Sequence, residues 1–176
     1  LKASKPPVWK HCCFPVFLLK IRSGLSQFRN IFEVPVLIID WTHWETGKTD
    51  KDWILAEASK LAGQIRGRQV NLLAKSIGTA VAMCLLKTNR GAINKIILCG
   101  LPLEDLSKDD KTVYSILADF PSDKIICFQN ENDNHGSFSE VQSFLHSINL
   151  EIRVVKSQRS DHEYPYSQRF IEFLQN

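Results

Sequence analysis

The sequence predicts an α/β fold: a mostly parallel central sheet of about six strands, with helices on both faces in three layers. Three observations predict it. Apolar runs and helical patterns alternate from one end of the chain to the other. Most of the runs are continuous rather than alternating, as in strands covered on both faces. Glycine and proline punctuate the boundaries between them. The 176 residues, 44% hydrophobic and 23% charged, fit one domain, 1–176, of ordinary globular balance.

The elements follow in order. Phe14 to Ile21 is a short apolar run between Pro15 and Gly24. Leu25, Phe28 and Phe32 then share one helix face. Val34 to Ile39 is a buried-strand run ended by Asp40. Ile54, Ala58, Leu61, Ala62 and Ile65 recur at helical spacing, with Thr49 or Asp50 as cap and Gly67 as stop. Val70 to Ala74 is the next strand, followed by an alanine- and leucine-rich helix from Gly78 to Leu86. Ile93 to Cys99 ends at Gly100 and Pro102. The longest connection, Leu101 to Asp123, holds a short helix around Val113 to Leu117. Lys124 to Phe128 is a strand after Pro121. Ser137 and Glu140 form a capping-box pattern ahead of Val141, Phe144, Leu145 and Ile148. Leu150 to Val155 is the last strand, and Tyr166, Phe170, Phe173 and Leu174 stripe the last helix.

Composition narrows the partners. A net charge of +3 demands neither nucleic acid nor a charged membrane surface. The stretch from Cys12 to Leu19 is too short for a bilayer span and lacks a convincing signal-cleavage site. Five cysteines cannot all pair with one another. Cys84, Cys99 and Cys127 sit in apolar runs as small hydrophobes, and no C-x-x-C spacing occurs. A reducing, cytoplasmic setting is expected. No repeat or linker is visible.

In parallel α/β sheets, ligands sit beyond the carboxyl ends of the strands. The segment VNLLAKSIGTAVAMCLL reads strand, tight turn, helix, with Ser76 at the turn. Ala74 and Gly78 keep small side chains two before and two after it, where larger ones would collide with neighbouring backbone. The helix after Ser76 aims free N–H groups and its positive end at that turn. A helix N-cap is the plainer role for such a serine.

Ala74-Lys75-Ser76-Ile77-Gly78 resembles the nucleophile elbow G-x-S-x-G of α/β-hydrolases, with Ala74 in the first glycine position. The resemblance runs from about Phe14 to Leu174 and implies a minimal, lidless α/β-hydrolase fold. It implies Ser76 as nucleophile, with an acid and then a histidine following in chain order. Asp133, after the Lys124–Phe128 strand, stands at the family's acid position; Glu131 and Asp105 are alternatives, and a turn residue is the plainer role for Asp133. His162, in the loop before the last helix, stands at the position of the base. His135 and His146 are poorer candidates, the latter on the exposed side of a predicted helix.

The resemblance further implies Ile77 N–H as one oxyanion donor and a second from Ile21 or Arg22, in Lys20–Gly24. Of the family's H-G-x-x-G, that segment keeps only Gly24. Trp41 and Trp44 line an acyl or alcohol pocket or cover the sheet edge. Lys75 is unusual in an elbow. It is a substrate-binding candidate that lowers local anionic repulsion, or it faces solvent, which is the plainer role. The implied activity is hydrolysis of a small ester-like substrate through an acyl-enzyme, with no metal or organic cofactor. Thioester, lactone and amide cleavage share that chemistry. The alternative is a non-catalytic relative that binds a ligand or protein partner.

Overall fold

A computed structural model describes the backbone of residues 16–19 and 36–39 and the whole of residues 52–176. Its strands are β1 (Val16–Leu19), β2 (Val36–Ile39), β3 (Val70–Lys75), β4 (Ile93–Cys99), β5 (Ile125–Asn130) and β6 (Arg153–Ser157). They form a 6-stranded sheet in the order β2-β1-β3-β4-β5-β6. Every neighbouring pair is parallel. Parallel neighbours need crossovers, and helices supply them. These are α1 (Trp53–Ile65), α2 (Gly78–Asn89), α3 (Lys108–Thr112), α4 (Phe138–Ile148) and α5 (Ser167–Gln175). The chain lays β2 on one side of β1 and then returns to lay β3 on the other. That reversal opens a crevice at the carboxyl ends of β1 and β3, where ligands of such sheets bind.

The pleat divides the strand side chains between two cores. Leu72, Ala74, Ile96, Leu98, Ile125 and Cys127 pack with α1, α2 and α4 on one face. Leu73, Ile97, Cys99, Ile126 and Phe128 pack with Tyr164 and Phe170 on the other. The sheet is thus covered on both faces, and β3 is buried at every position from Val70 to Lys75. Helix α2 is buried from Gly78 through Leu86, which its small residues allow. Thr79 and Tyr114 close its first turn with a hydroxyl–hydroxyl contact of 2.5 Å.

Several boundaries differ from the sequence expectation. β6 begins at Arg153, and Leu150 is 75% exposed in a turn. The Asn149 side chain accepts the Glu151 N–H, and its carbonyl accepts that of Ile152. This local turn outcompetes the ladder. β5 runs on to Asn130, past the end of its apolar run. The helix expected around Val113–Leu117 is a 3-10 segment, Val113–Asp119, continuing α3. Helix α1 has Asp52 at its cap position, with no side-chain cap bond. Gly67, at φ +74°, ends it as expected. Thr49, Asp50 and the helix pattern of Leu25, Phe28 and Phe32 lie outside the described residues. Among the described residues, no helix is long and apolar enough to cross a membrane.

Phe128 anchors the α5 face, its ring 5.0 Å from that of Phe170 at 71°. Phe128→Ala is expected to destabilise the fold by roughly 3–5 kcal/mol, the usual size for a buried ring. Urea unfolding followed by far-UV circular dichroism measures this.

Candidate active site

Between β3 and α2 the chain turns in two residues. Ser76 has φ +54°, the one non-glycine positive φ among the described residues. Such a left-handed residue costs about 1–2 kcal/mol and persists only where its surroundings hold it. Here the Ser76 N–H donates to the Cys99 carbonyl at 2.9 Å. The Ser76 carbonyl accepts the Thr79 N–H at 2.9 Å and the Thr79 hydroxyl at 2.7 Å. Ile77 takes the N-cap position of α2 with helical dihedrals, and no side chain caps the helix. The plainer role for Ser76, capping through its hydroxyl, is therefore not the one it has. Ile77 N–H is among the first donors of α2, which have no carbonyl within the helix. Ser76 is only 8% exposed, where an exposed hydroxyl was expected.

The loop after β5 carries Asp133, which is buried. Its Oδ1 accepts the His135 N–H at 2.9 Å. Its Oδ2 is shared by His162 Nδ1 at 2.7 Å and the Tyr164 hydroxyl at 2.6 Å. An ionised carboxylate only accepts, so Nδ1 of His162 carries a proton, and in the neutral imidazole Nε2 presents a lone pair. That Nε2 is buried and has no hydrogen-bond partner among the described residues. Burial pushes the Asp133 pKa up, but hydrogen bonds from His162, Tyr164 and the His135 amide outweigh it and hold the carboxyl below its ordinary value. The Tyr164 hydroxyl is pushed far up, by burial and by the carboxylate beside it.

Gly100 joins the two halves of the site. It follows Cys99, which holds Ser76, and it lies under the histidine loop at φ +59°. A Cβ on Gly100 would stand 2.8 Å from His162 Cε1 and 2.6 Å from Tyr164 Cε2. Only glycine allows that approach. The Cys99–Gly100 segment thus touches both the backbone of Ser76 and the ring of His162.

Two buried polar residues at the end of β5 organise the loops. Asn130 Nδ2 donates to the carbonyls of Asp161 and Glu163, and Asn130 N–H donates to the Tyr164 hydroxyl. The Tyr166 hydroxyl donates to Asn130 Oδ1. Gln129 accepts the Leu101 N–H and donates to the Gly136 carbonyl, tying the loop after β4 to the acid loop. The sequence reading missed Gln129, Asn130 and Tyr164. The available signal was two amides where a continuous apolar strand should end.

The other expected residues fall as follows. Asp105, the backup acid, meets His135 Nδ1 at 2.5 Å instead of His162. The His135 ring lies 4.4 Å from the His162 ring, so a histidine close to the acid in sequence reaches the site after all. Glu131 pairs with Lys156 at 2.6 Å. His146 is half-buried, with Nε2 3.1 Å from the Ile152 carbonyl, rather than on an exposed helix side. Lys75, expected to face solvent, is buried against Glu163. Its place on β3, one residue beyond Ala74, turns it toward the α5 face. Ile21, Trp41 and Trp44 lie outside the described residues. A groove of about 670 Å³ between Lys95, Arg153 and Arg169 lies toward the amino ends of the strands, away from this site. Among the described residues, no group of three or more His, Cys, Asp or Glu could hold a metal.

Two measurements test the acid. The lowered Asp133 pKa means its stabilising bonds are intact above the ordinary carboxylate range, and are lost as pH falls through the folded-state value. Asp133→Asn is expected to be less stable than wild type by roughly 1–3 kcal/mol at neutral pH. That difference should close below about pH 4 in urea titrations. Tyr164→Phe removes one donor from Oδ2 and is expected to cost about 1 kcal/mol or more by the same measurement.

No protein-family model and no curated protein sequence matches the chain. Solved structures do. A putative YdeN-like hydrolase from Pectobacterium atrosepticum is 20% identical, with a TM-score of 0.66 over 92% of this chain and 90% of that one. An N-formylmaleamic acid deformylase from Pseudomonas putida is 12% identical, with a TM-score of 0.67 over 93% and 92%. An esterase from Exiguobacterium antarcticum is 12% identical, with a TM-score of 0.61 over 93% and 92%. Together with the parallel sheet and the strand-to-helix turn at Ser76, these likenesses show that the chain has the α/β-hydrolase fold.

Proposed function

We propose that this protein is a serine hydrolase that cleaves small carboxylic esters through an acyl-enzyme. Ser76 is the nucleophile, His162 the general base and acid, and Asp133 the carboxylate that orients His162. The observation that carries this reading is the buried, unpartnered Nε2 of His162. A buried nitrogen lone pair without a donor is disfavoured unless function retains it. With Nδ1–H held by Asp133, this nitrogen is the natural acceptor for the Ser76 hydroxyl. The two make no hydrogen bond here, and such bonds often tighten only when substrate arrives.

Chemistry follows in two halves. Ser76 Oγ attacks the ester carbonyl carbon while its proton passes to His162 Nε2. The carbonyl π pair moves to oxygen and is met by the Ile77 N–H, with a second donor from the Ile21 segment. As the carbonyl re-forms, the C–O bond to the alcohol breaks, and His162 delivers its proton to that oxygen. Water then repeats the attack on the acyl-enzyme, giving acid and free serine. Trp41 and Trp44 line the acyl or alcohol pocket. The esterase and deformylase names of the similar structures agree with a hydrolytic reading. A cytoplasmic setting fits Cys84, Cys99 and Cys127, which are buried and free among the described residues.

A second reading keeps one observation of its own. The Lys20–Gly24 segment retains only Gly24 of H-G-x-x-G, as a non-catalytic ligand- or protein-binding relative would allow. A fluorophosphonate probe separates the two. Wild type is expected to be labelled at Ser76 and to hydrolyse p-nitrophenyl acetate. Ser76→Ala should lose both, and Asp133→Asn should lower turnover on the order of a thousandfold or more. A folded wild type that takes no label and turns over no ester would leave the binding reading in place.

A further inference from the structure

Lys75 directly precedes Ser76, and Glu163 directly follows His162. Their side chains meet, with Lys75 Nζ 3.3 Å from Glu163 Oε2. Lys75 follows the same pleat side as Leu73, toward the α5 face that Tyr164 and Phe170 cover. Its side chain is 6% exposed, whereas that of Glu163 is 52% exposed. A lysine this deeply placed needs a partner. Glu163 is the one carboxylate in ion-pair contact with it among the described residues.

We propose that the Lys75–Glu163 ion pair is a positioning device: it ties the serine turn to the histidine loop and balances the charge beneath His162. The proposal rests on the serine hydrolase reading for its consequence in turnover, though not for its electrostatics.

The charge balance follows from what faces His162. Asp133 holds Nδ1, the His135 ring lies 4.4 Å away with Asp105 behind it, and the Tyr164 ring stands edge-on at 5.9 Å. On the loop itself, Asp161 is paired with Arg159, and Glu163 with Lys75. Lys75 is thus a cation sunk below the loop, and the half-exposed Glu163 neutralises it. Without the Glu163 charge, a buried ammonium is left to oppose imidazolium formation at His162. Without the Lys75 charge, a carboxylate is left to favour it. The two single substitutions must act in opposite directions, which a bracing role alone would not produce. The tether acts in addition. The elbow follows β3 and the histidine loop follows β6, with β4 and β5 between them in the sheet order, and the ion pair joins them side chain to side chain.

The test uses the full chain in five forms: wild type, Lys75→Met, Lys75→Arg, Glu163→Gln, and the Lys75→Met/Glu163→Gln double variant. The His162 ring-proton NMR titration is recorded without substrate, and kcat and KM are measured with p-nitrophenyl acetate. The midpoint is expected to fall in Glu163→Gln and to rise in Lys75→Met, each by roughly half a pH unit. It should return to the wild-type value in the double variant and hold there in Lys75→Arg. Both charge-removing single variants should lose about tenfold in kcat with KM nearly unchanged, as misplacement of reacting groups does. Midpoints that stay put, or that move together, overturn the proposal. So does an unchanged kcat in an active enzyme. Glu163 is exposed enough that Glu163→Gln decides the matter even if Lys75→Met does not fold. A wild type without label or turnover fails the hydrolase reading, while the midpoints still decide the charge coupling.

Discussion

At Ser76 the backbone lies at φ +54°, in a region that side chains other than glycine avoid. The carboxyl edge of the sheet is arranged around that constraint. β4 supplies the Cys99 carbonyl for the Ser76 amide, and Thr79 in α2 returns two hydrogen bonds to the Ser76 carbonyl. Thr79 is in turn held by Tyr114 from the long connection after β4. The strain at one residue is thus offset by a strand, a helix and a loop that are themselves buried. Small residues matter for the same reason: Ala74 is fully buried, and α2 begins at a buried Gly78.

The acid loop shows how hydrogen bonding overrides burial. A buried carboxylate is disfavoured on desolvation grounds alone. Asp133 nevertheless stays ionised, because three donors converge on its two oxygens. This fixes the tautomer of His162 by elimination, since an acceptor-only partner leaves the Nδ1 position for the proton. Tyr164 shares Oδ2 with His162 and also accepts the Asn130 N–H. The orientation of the imidazole is therefore set from the end of β5 as well as from the acid loop.

His135 and Asp105 form a second histidine–carboxylate contact beside the first, the two imidazole rings tilted at 50°. Their meeting depends on Gln129, which holds the loops after β4 and β5 together, and on Gly136. A Cβ on Gly136 would stand 2.7 Å from the Leu101 carbonyl. None of this proximity is visible in the spacing of the residues. Asp105 and His135 are separated by a helix, two 3-10 segments and a whole strand, and only the register of β4 against β5 brings their loops side by side.

The sequence by itself determined the element order, the parallel sheet covered on both faces, and the turn at Ser76. These are readable because they rest on local physics: apolar runs, helical periodicity, caps, and small residues flanking a tight turn. Asp133 and His162 were reached differently, through the resemblance of the Ser76 turn to the nucleophile elbow and the chain order that this resemblance implies. The tertiary structure alone decided which carboxylate met which imidazole. It assigned Asp133 rather than Asp105 to His162, buried Lys75 against Glu163, and gave Asn130 its brace across the histidine loop. Those outcomes depend on hydrogen-bond partners distant in the chain, and on the pleat that turns each strand-end side chain to one face or the other. A polar residue's role is written in its partners, and partners belong to the fold rather than to the residue.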